Sequence, residues 1–150
     1  MQKKSASKAF APKPPQRQSG AVPFRQSKKN GAEVLLITSR CRGRWIVPKG
    51  GVERKLSPAQ SALKEAFEEA GVKGRTLGKP LGSYTYKKPE NGFYKVKLYA
   101  MEVGEECDDW PEKDERQRQW LPLAEAADLA DDKEVGVMIR KLGKTLSKSK

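Results

Sequence analysis

Apolar positions along the chain follow two rhythms. Glu33–Thr38 (EVLLIT) and Trp45–Val47 are short apolar, β-branched runs, and the polar stretch Ser39-Arg40-Cys41-Arg42-Gly43-Arg44 between them predicts two strands joined in hairpin fashion. A second strand pair is predicted over Leu77–Lys87 and Phe93–Val103. There Tyr94, Val96, Leu98 and Ala100 alternate with other positions, and Pro89-Glu90-Asn91-Gly92 supplies the turn. Leu123–Ala130 and Lys133–Leu142 carry helical spacing.

The sharpest element is a helix over Pro58–Ala70. Ser57 stands at the N-cap, Pro58 at the first helical position where its missing N–H costs nothing, and Gln60 completes a Ser-x-x-Gln capping box. Gly71 supplies a left-handed C-cap. On the helical wheel Ala59, Leu63, Ala66, Phe67 and Ala70 share one arc, the expected buried face, while Glu65, Glu68 and Glu69 share another. Like charges at this spacing repel one another, and no lysine is expected within that arc to neutralise them. A solvated acidic face is one reading. The other is a divalent cation, because carboxylates so placed offer several hard oxygen ligands to Mg2+ or Mn2+.

Composition narrows the chemistry. The 150 residues include 31 Lys+Arg, 19 Asp+Glu and no histidine, for a net charge of +12. Without histidine there is no Ser-His-Asp or Cys-His nucleophile, no histidine zinc site and no imidazole base. An enzyme built from this chain works with carboxylates, lysines or an oxygen-held metal.

The length accommodates one layered domain. Met1–Gly20 is basic, acid-free and proline-containing, so residues 1–20 are expected to be a disordered tail, with the folded domain over 21–143 and a short basic C-terminal tail over 144–150. Cys41 and Cys107 lack metal-ligand spacing and read as free thiols of a reducing compartment. No apolar run is long enough to span a membrane, and the expected location is cytoplasmic.

What precedes the acidic helix sharpens the cation reading. Trp45-Ile46-Val47-Pro48-Lys49-Gly50-Gly51-Val52-Glu53 runs from a strand into a diglycine loop, where the backbone can approach a ligand and expose a carbonyl. From Gly50 to Val72 the chain resembles the Nudix hydrolases, whose signature is G-x5-E-x7-R-E-U-x-E-E-x-G-U with U apolar. Gly50, Glu65, Ala66, Glu68, Glu69, Gly71 and Val72 stand on the pattern. Leu56 stands where the family has its first Glu, and Lys64 where it has Arg. In the family those two side chains pair, so their joint replacement reads as one lost structural contact.

Similarity to the diphosphoinositol-polyphosphate phosphohydrolase branch extends through Arg44–Pro48, Glu68–Gly74, Tyr94–Tyr99, Asp109-Trp110 and Arg116–Leu121. The resemblance implies an α-β-α sandwich, a mixed sheet flanked by helices. It also implies metal-dependent hydrolysis of a diphosphate linkage with Mg2+ or Mn2+. Glu65, Glu69 and then Glu68 become the expected metal ligands and catalytic carboxylates, with the carbonyl of Gly50 beside them. Glu115, outside the motif, is a further candidate base. Arg25, Arg40, Arg42, Arg44, Lys49, Gly51, Arg116 and Arg118 become the expected substrate contacts, a basic bowl for a strongly anionic ligand. That ligand would be a diphosphoinositol polyphosphate, a dinucleoside polyphosphate or a nucleoside diphosphate derivative.

A second class stays open: a catalytically weak or inactive domain whose charge serves to bind nucleotides or RNA. Retention of all three motif-helix glutamates favours the enzyme.

Overall fold

The computed structural model describes residues 14–29, 31–88 and 92–148. Its elements run β1 (Gln16–Ser27), β2 (Gly31–Thr38), β3 (Trp45–Ile46), β4 (Lys49–Gly51), α1 (Pro58–Ala70), β5 (Val72–Thr76), β6 (Gly82–Lys88) and β7 (Gly92–Glu106). A 3-10 turn (Lys113–Glu115), β8 (Arg118–Pro122), α2 (Leu123–Leu129) and α3 (Lys133–Lys148) complete the chain.

The sheet is mixed. β1 and β7 lie parallel at its centre, from Gln16 beside Tyr94 to Phe24 beside Glu102. The remaining pairings are antiparallel, giving the order β3-β2-β1-β7-β5, with β4 on β1, β6 on β7 and β8 on β2. Alternation along the strands builds two cores. Val22, Phe24, Val34, Leu36, Val96 and Leu98 meet α2 and α3 on one face. Ala21, Leu35, Ile37, Tyr99 and Met101 meet α1 on the other. The α-β-α sandwich implied by the resemblance is the fold found.

α1 begins and ends where its signals place it. Ser57 accepts from the Gln60 N–H, the Gln60 side chain accepts in return from the Ser57 N–H, and Gly71 closes the helix at φ 67°. Its buried face is rotated from the expected one: Ser61, Ala62, Ala66, Glu69 and Ala70 are buried, whereas Ala59 and Leu63 only border the core. Phe67 is half-buried and lies beneath the Lys73 ammonium, 5.2 Å from its ring centroid. Small alanines let the helix sit close to the sheet, and that closeness carries Glu69 inward with them.

Three expectations need correcting. Residues 16–20 are not a tail: Gln16–Gly20 form the first half of β1, hydrogen-bonded between β4 and β7. Strand pairing uses backbone groups, so a segment poor in apolar side chains was still able to order. The rest of the expected tail, through residue 13, lies outside the described residues. At the other end α3 continues to Lys148, because Leu146 follows Leu142 at helical spacing and packs on the core. Finally, β6 starts at Gly82, not at Leu77.

Candidate active site

β4, the loop after it and α1 bring the motif together. Gly50 is fixed opposite Ser19 of β1, and a Cβ built on it would lie 2.3 Å from the Glu65 carboxyl. The Glu65 carboxyl therefore rests directly against the Gly50 backbone, a position only glycine leaves open. One turn on, Glu69 is 7% exposed and accepts from the Lys49 N–H at 3.3 Å. The Glu65 carboxyl lies close enough for the two carboxyls to act on each other electrostatically.

Two carboxyls close together and partly buried are both harder to ionise. Burial pushes Glu69 up to about 8, and the Glu65 charge adds to that; Arg116 and the Lys49 N–H oppose it. Burial raises Glu65 as well, with Glu68 contributing. Paired hard oxygens with excess negative potential fit a divalent cation of the Mg2+ or Mn2+ type. Glu68 is turned toward Lys64, with its carboxylate 3.5 Å from that ammonium, and among the described residues no three His, Cys, Asp or Glu side chains gather around one point.

Lys64 corrects the expectation that the acidic arc lacks a neutralising lysine. It is bound to Glu53 as well as near Glu68. A turn between Glu53 and Leu56, closed by the Leu56 N–H to the Glu53 carbonyl at 3.1 Å, presents that carboxylate to the helix. The brace between loop and helix is thus kept, with Glu53 in place of the family's usual residue.

The expected basic bowl is only partly assembled. Arg116 is at the centre: its side chain is 8% exposed, it lies 3.8 Å from Glu69 and 2.9 Å from Glu112, and it donates to the Thr38 carbonyl at 3.1 Å. Lys49 lies over Tyr86 at 5.0 Å and makes no ion pair among the described residues. Burial pushes its ammonium below the ordinary lysine range, against the pull of Glu69. Arg42 is exposed and also makes no ion pair among the described residues. Arg40 pairs with Glu115 at 3.0 Å, which also engages that candidate base, and Arg44 pairs with Asp131 at 3.4 Å. Gly51 is exposed with nothing within 4 Å of where a Cβ would stand.

Two arginines do other work. Arg118 donates to the carbonyls of Ala70 (2.9 Å), Gly71 (3.2 Å) and Cys107 (3.0 Å) and stacks on Trp110 at 4.0 Å, capping the C-terminus of α1. Arg25, further along β1, is bound to Glu33 and Glu106 and lies 4.2 Å above Trp120.

Two concavities reach toward Glu69 through its neighbours, one lined by Lys49 and the other by Arg116. A chamber of about 120 Å³ is lined by Trp45, Val47, Lys49, Tyr84, Tyr86 and Asp132. A polar groove of about 590 Å³, lined by Thr38, Arg40, Trp45, Glu115 and Arg116, runs between the β2–β3 loop and the 3-10 turn. Sequence reasoning missed Glu53 and Glu112. The spacing of Glu112 and Arg116 at i, i+4 was a usable signal; nothing local singled out Glu53.

Comparison with known proteins identifies the family. Residues 14–142 match the NUDIX domain family. "Nudix hydrolase 12, mitochondrial" from Arabidopsis thaliana is 35% identical over 130 residues, 74% of this chain and 64% of that protein. "Diphosphoinositol polyphosphate phosphohydrolase 3-beta" from Bos taurus is 33% identical over 127 residues, 83% of this chain and 74% of that protein. The chain thus spans a little under two thirds of the first plant relative. Among solved structures, a C. elegans Ap4A hydrolase binary complex superposes with a TM-score of 0.71 at 24% identity, covering 88% of this chain and 98% of that one.

Proposed function

The chain belongs to the Nudix family, and on that premise we propose that it hydrolyses a diphosphate linkage in a strongly anionic small molecule with the help of Mg2+ or Mn2+. The observation that carries this reading is the Glu65–Glu69 carboxyl pair, seated on Gly50 and bounded by Lys49 and Arg116.

When bound, the cation neutralises charge on the diphosphate oxygens and makes a water more acidic. Glu65 and Glu69 would hold it, with Glu68 available from the same helix. Arg116 fixes the Glu69 carboxyl in place through a guanidinium anchored on Glu112 and Thr38. The Lys49 ammonium, unpaired among the described residues at the chamber wall, contacts a phosphate oxygen. A glutamate of α1 left ionised accepts the proton of the attacking water.

Arg40, Arg44, Arg116 and Arg118 are engaged by carboxylates or carbonyls, which thins the bowl for a densely phosphorylated ring. The chamber walled by Trp45, Tyr84 and Tyr86 supports a flat aromatic group instead. Dinucleoside polyphosphates and nucleoside diphosphate derivatives are therefore placed ahead of diphosphoinositol polyphosphates. A cytoplasmic location belongs to the same proposal, supported by the free thiols of Cys41 and Cys107. Among the described residues no helix is long and apolar enough to cross a membrane.

The test is product release from all three substrate classes with Mg2+ or Mn2+, alongside Glu69→Gln. Turnover of one class that disappears in the variant supports the proposal. A wild-type protein that turns over none of them, or a variant as active as wild type, overturns it.

A further inference from the structure

The half of the sheet that α1 leaves uncovered carries an unusual row pattern. Where β1, β7 and β6 lie side by side, Arg17, Lys95 and Thr85 form one row and Ser19, Lys97 and Ser83 the next. Directly paired residues share a face, so Arg17 stands beside Lys95, with Lys97 two positions along from it. Like charges opposite one another weaken a sheet, and neither these two nor Lys97 has an ion pair among the described residues to offset that. On the same face Phe93 is 46% exposed and the Lys87 ammonium lies 5.8 Å from its ring. A groove of about 400 Å³ follows this face, bounded across from Arg17, Lys95 and Lys97 by Val52 and Pro58 at the start of α1.

The second row does not end on the sheet edge at β1. Ser19 is also paired with Gly50 of β4, so Lys97 and the glycine that seats Glu65 are two strands apart, about 10 Å. Between them the Ser19 hydroxyl is fully buried and has no hydrogen-bond partner among the described residues.

We infer that this groove binds a single strand of nucleic acid, its phosphates on Arg17, Lys95 and Lys97 and a base stacked on Phe93. Cations without an ion pair among the described residues, one strand apart and two residues apart, suit a charged backbone, and an exposed aromatic ring next along the same face suits any base. The concavity selects a strand over a membrane, because a flat bilayer does not enter a groove between a sheet and a helix. The site is distinct from the chamber beside Lys49, which lies on the opposite face of the sheet with Tyr84 and Tyr86.

Binding is read by fluorescence anisotropy of a fluorescein-labelled twelve-nucleotide single-stranded oligouridine. The protein is full length and carries Glu69→Gln, so the result does not depend on turnover. The parent is expected to bind, with affinity falling against salt at a log–log slope of about −2 for three phosphates. The double variant Lys95→Glu/Lys97→Glu is expected to bind at least about tenfold more weakly, and Phe93→Ala about fivefold more weakly. Both keep the parent's melting temperature and, with Glu69 restored, its turnover of a small diphosphate. Unchanged affinity in both variants overturns the site. So does retention on phosphatidylserine vesicles without oligonucleotide binding, which would make the face a membrane contact.

Discussion

Lys64 of α1 is bound to Glu53 on the loop before the helix, and Glu68 lies 3.5 Å from the same ammonium. One lysine thus ties the loop to the helix and holds a motif glutamate at the same time. All of these side chains are 32 to 47% exposed, so the contact is more a matter of position than of stability.

Removing Glu53 isolates that role. Glu53→Gln is expected to lower kcat/KM by about tenfold, the scale of losing a support to a ligating side chain, with little change in melting temperature. Leu56→Glu added to it restores a carboxylate at the family position and should recover most of the loss. Failure of that rescue, with both proteins folded, would mean that Lys64 needs no partner from the loop.

The acidity of Glu69 sets a pH dependence. Its folded value of about 8 lies above the ordinary 4.5, so the folded protein without cation holds a proton that the unfolded chain gives up. That contribution to stability is whole below about pH 4.5 and lost as pH rises through about 8. Cation binding runs the other way: Mn2+ affinity should climb across the same window, with a proton released on binding. Calorimetry in buffers of different ionisation enthalpy measures the release, and Glu69→Gln should remove most of it.

Gly50→Ala tests the seat of Glu65. The added Cβ would fall 2.3 Å from the carboxyl and displace it. Turnover is expected to drop by about 100-fold, the scale of a misplaced catalytic group, while circular dichroism stays that of the parent. Activity within twofold of wild type would show that Glu65 does not act from that position.

Arg116 and Arg118 stand two residues apart and should behave differently. Arg118→Ala removes the guanidinium from three carbonyls, of which Gly71's keeps the Cys107 N–H, and uncovers Trp110, which should cost roughly 2 kcal/mol in urea unfolding while sparing KM. Arg116→Ala frees Glu69 and should lower kcat instead. Equal effects of the two on KM would return Arg118 to the substrate site.

Much of this was written locally. The helix Pro58–Ala70 was legible to the residue, because its caps act within one turn, and the pairing of Glu65 with Glu69 followed from their spacing. The sandwich came through the motif's resemblance. What stayed hidden depends on partners far apart in sequence. Gln16–Gly20 became a strand through backbone pairing with β4 and β7, to which its polar side chains bear no witness. Arg118 and Arg25 looked like phosphate ligands by residue type, yet carbonyls of α1 and carboxylates of other strands claimed them. The rotation of α1 that buries Ala62 and Glu69 was set by how closely alanines let the helix approach the sheet.

The first five residues of β1 act as a splint. They hold β4, with Gly50 in it, on one edge and β7 with its row of lysines on the other. A protease cut after Gly20, or an affinity tag whose linker replaces residues 16–20, would unclip the diglycine loop from the sheet while leaving every glutamate of α1 in the chain. A trimmed protein of this kind could look folded and carry the whole motif, and still be inert.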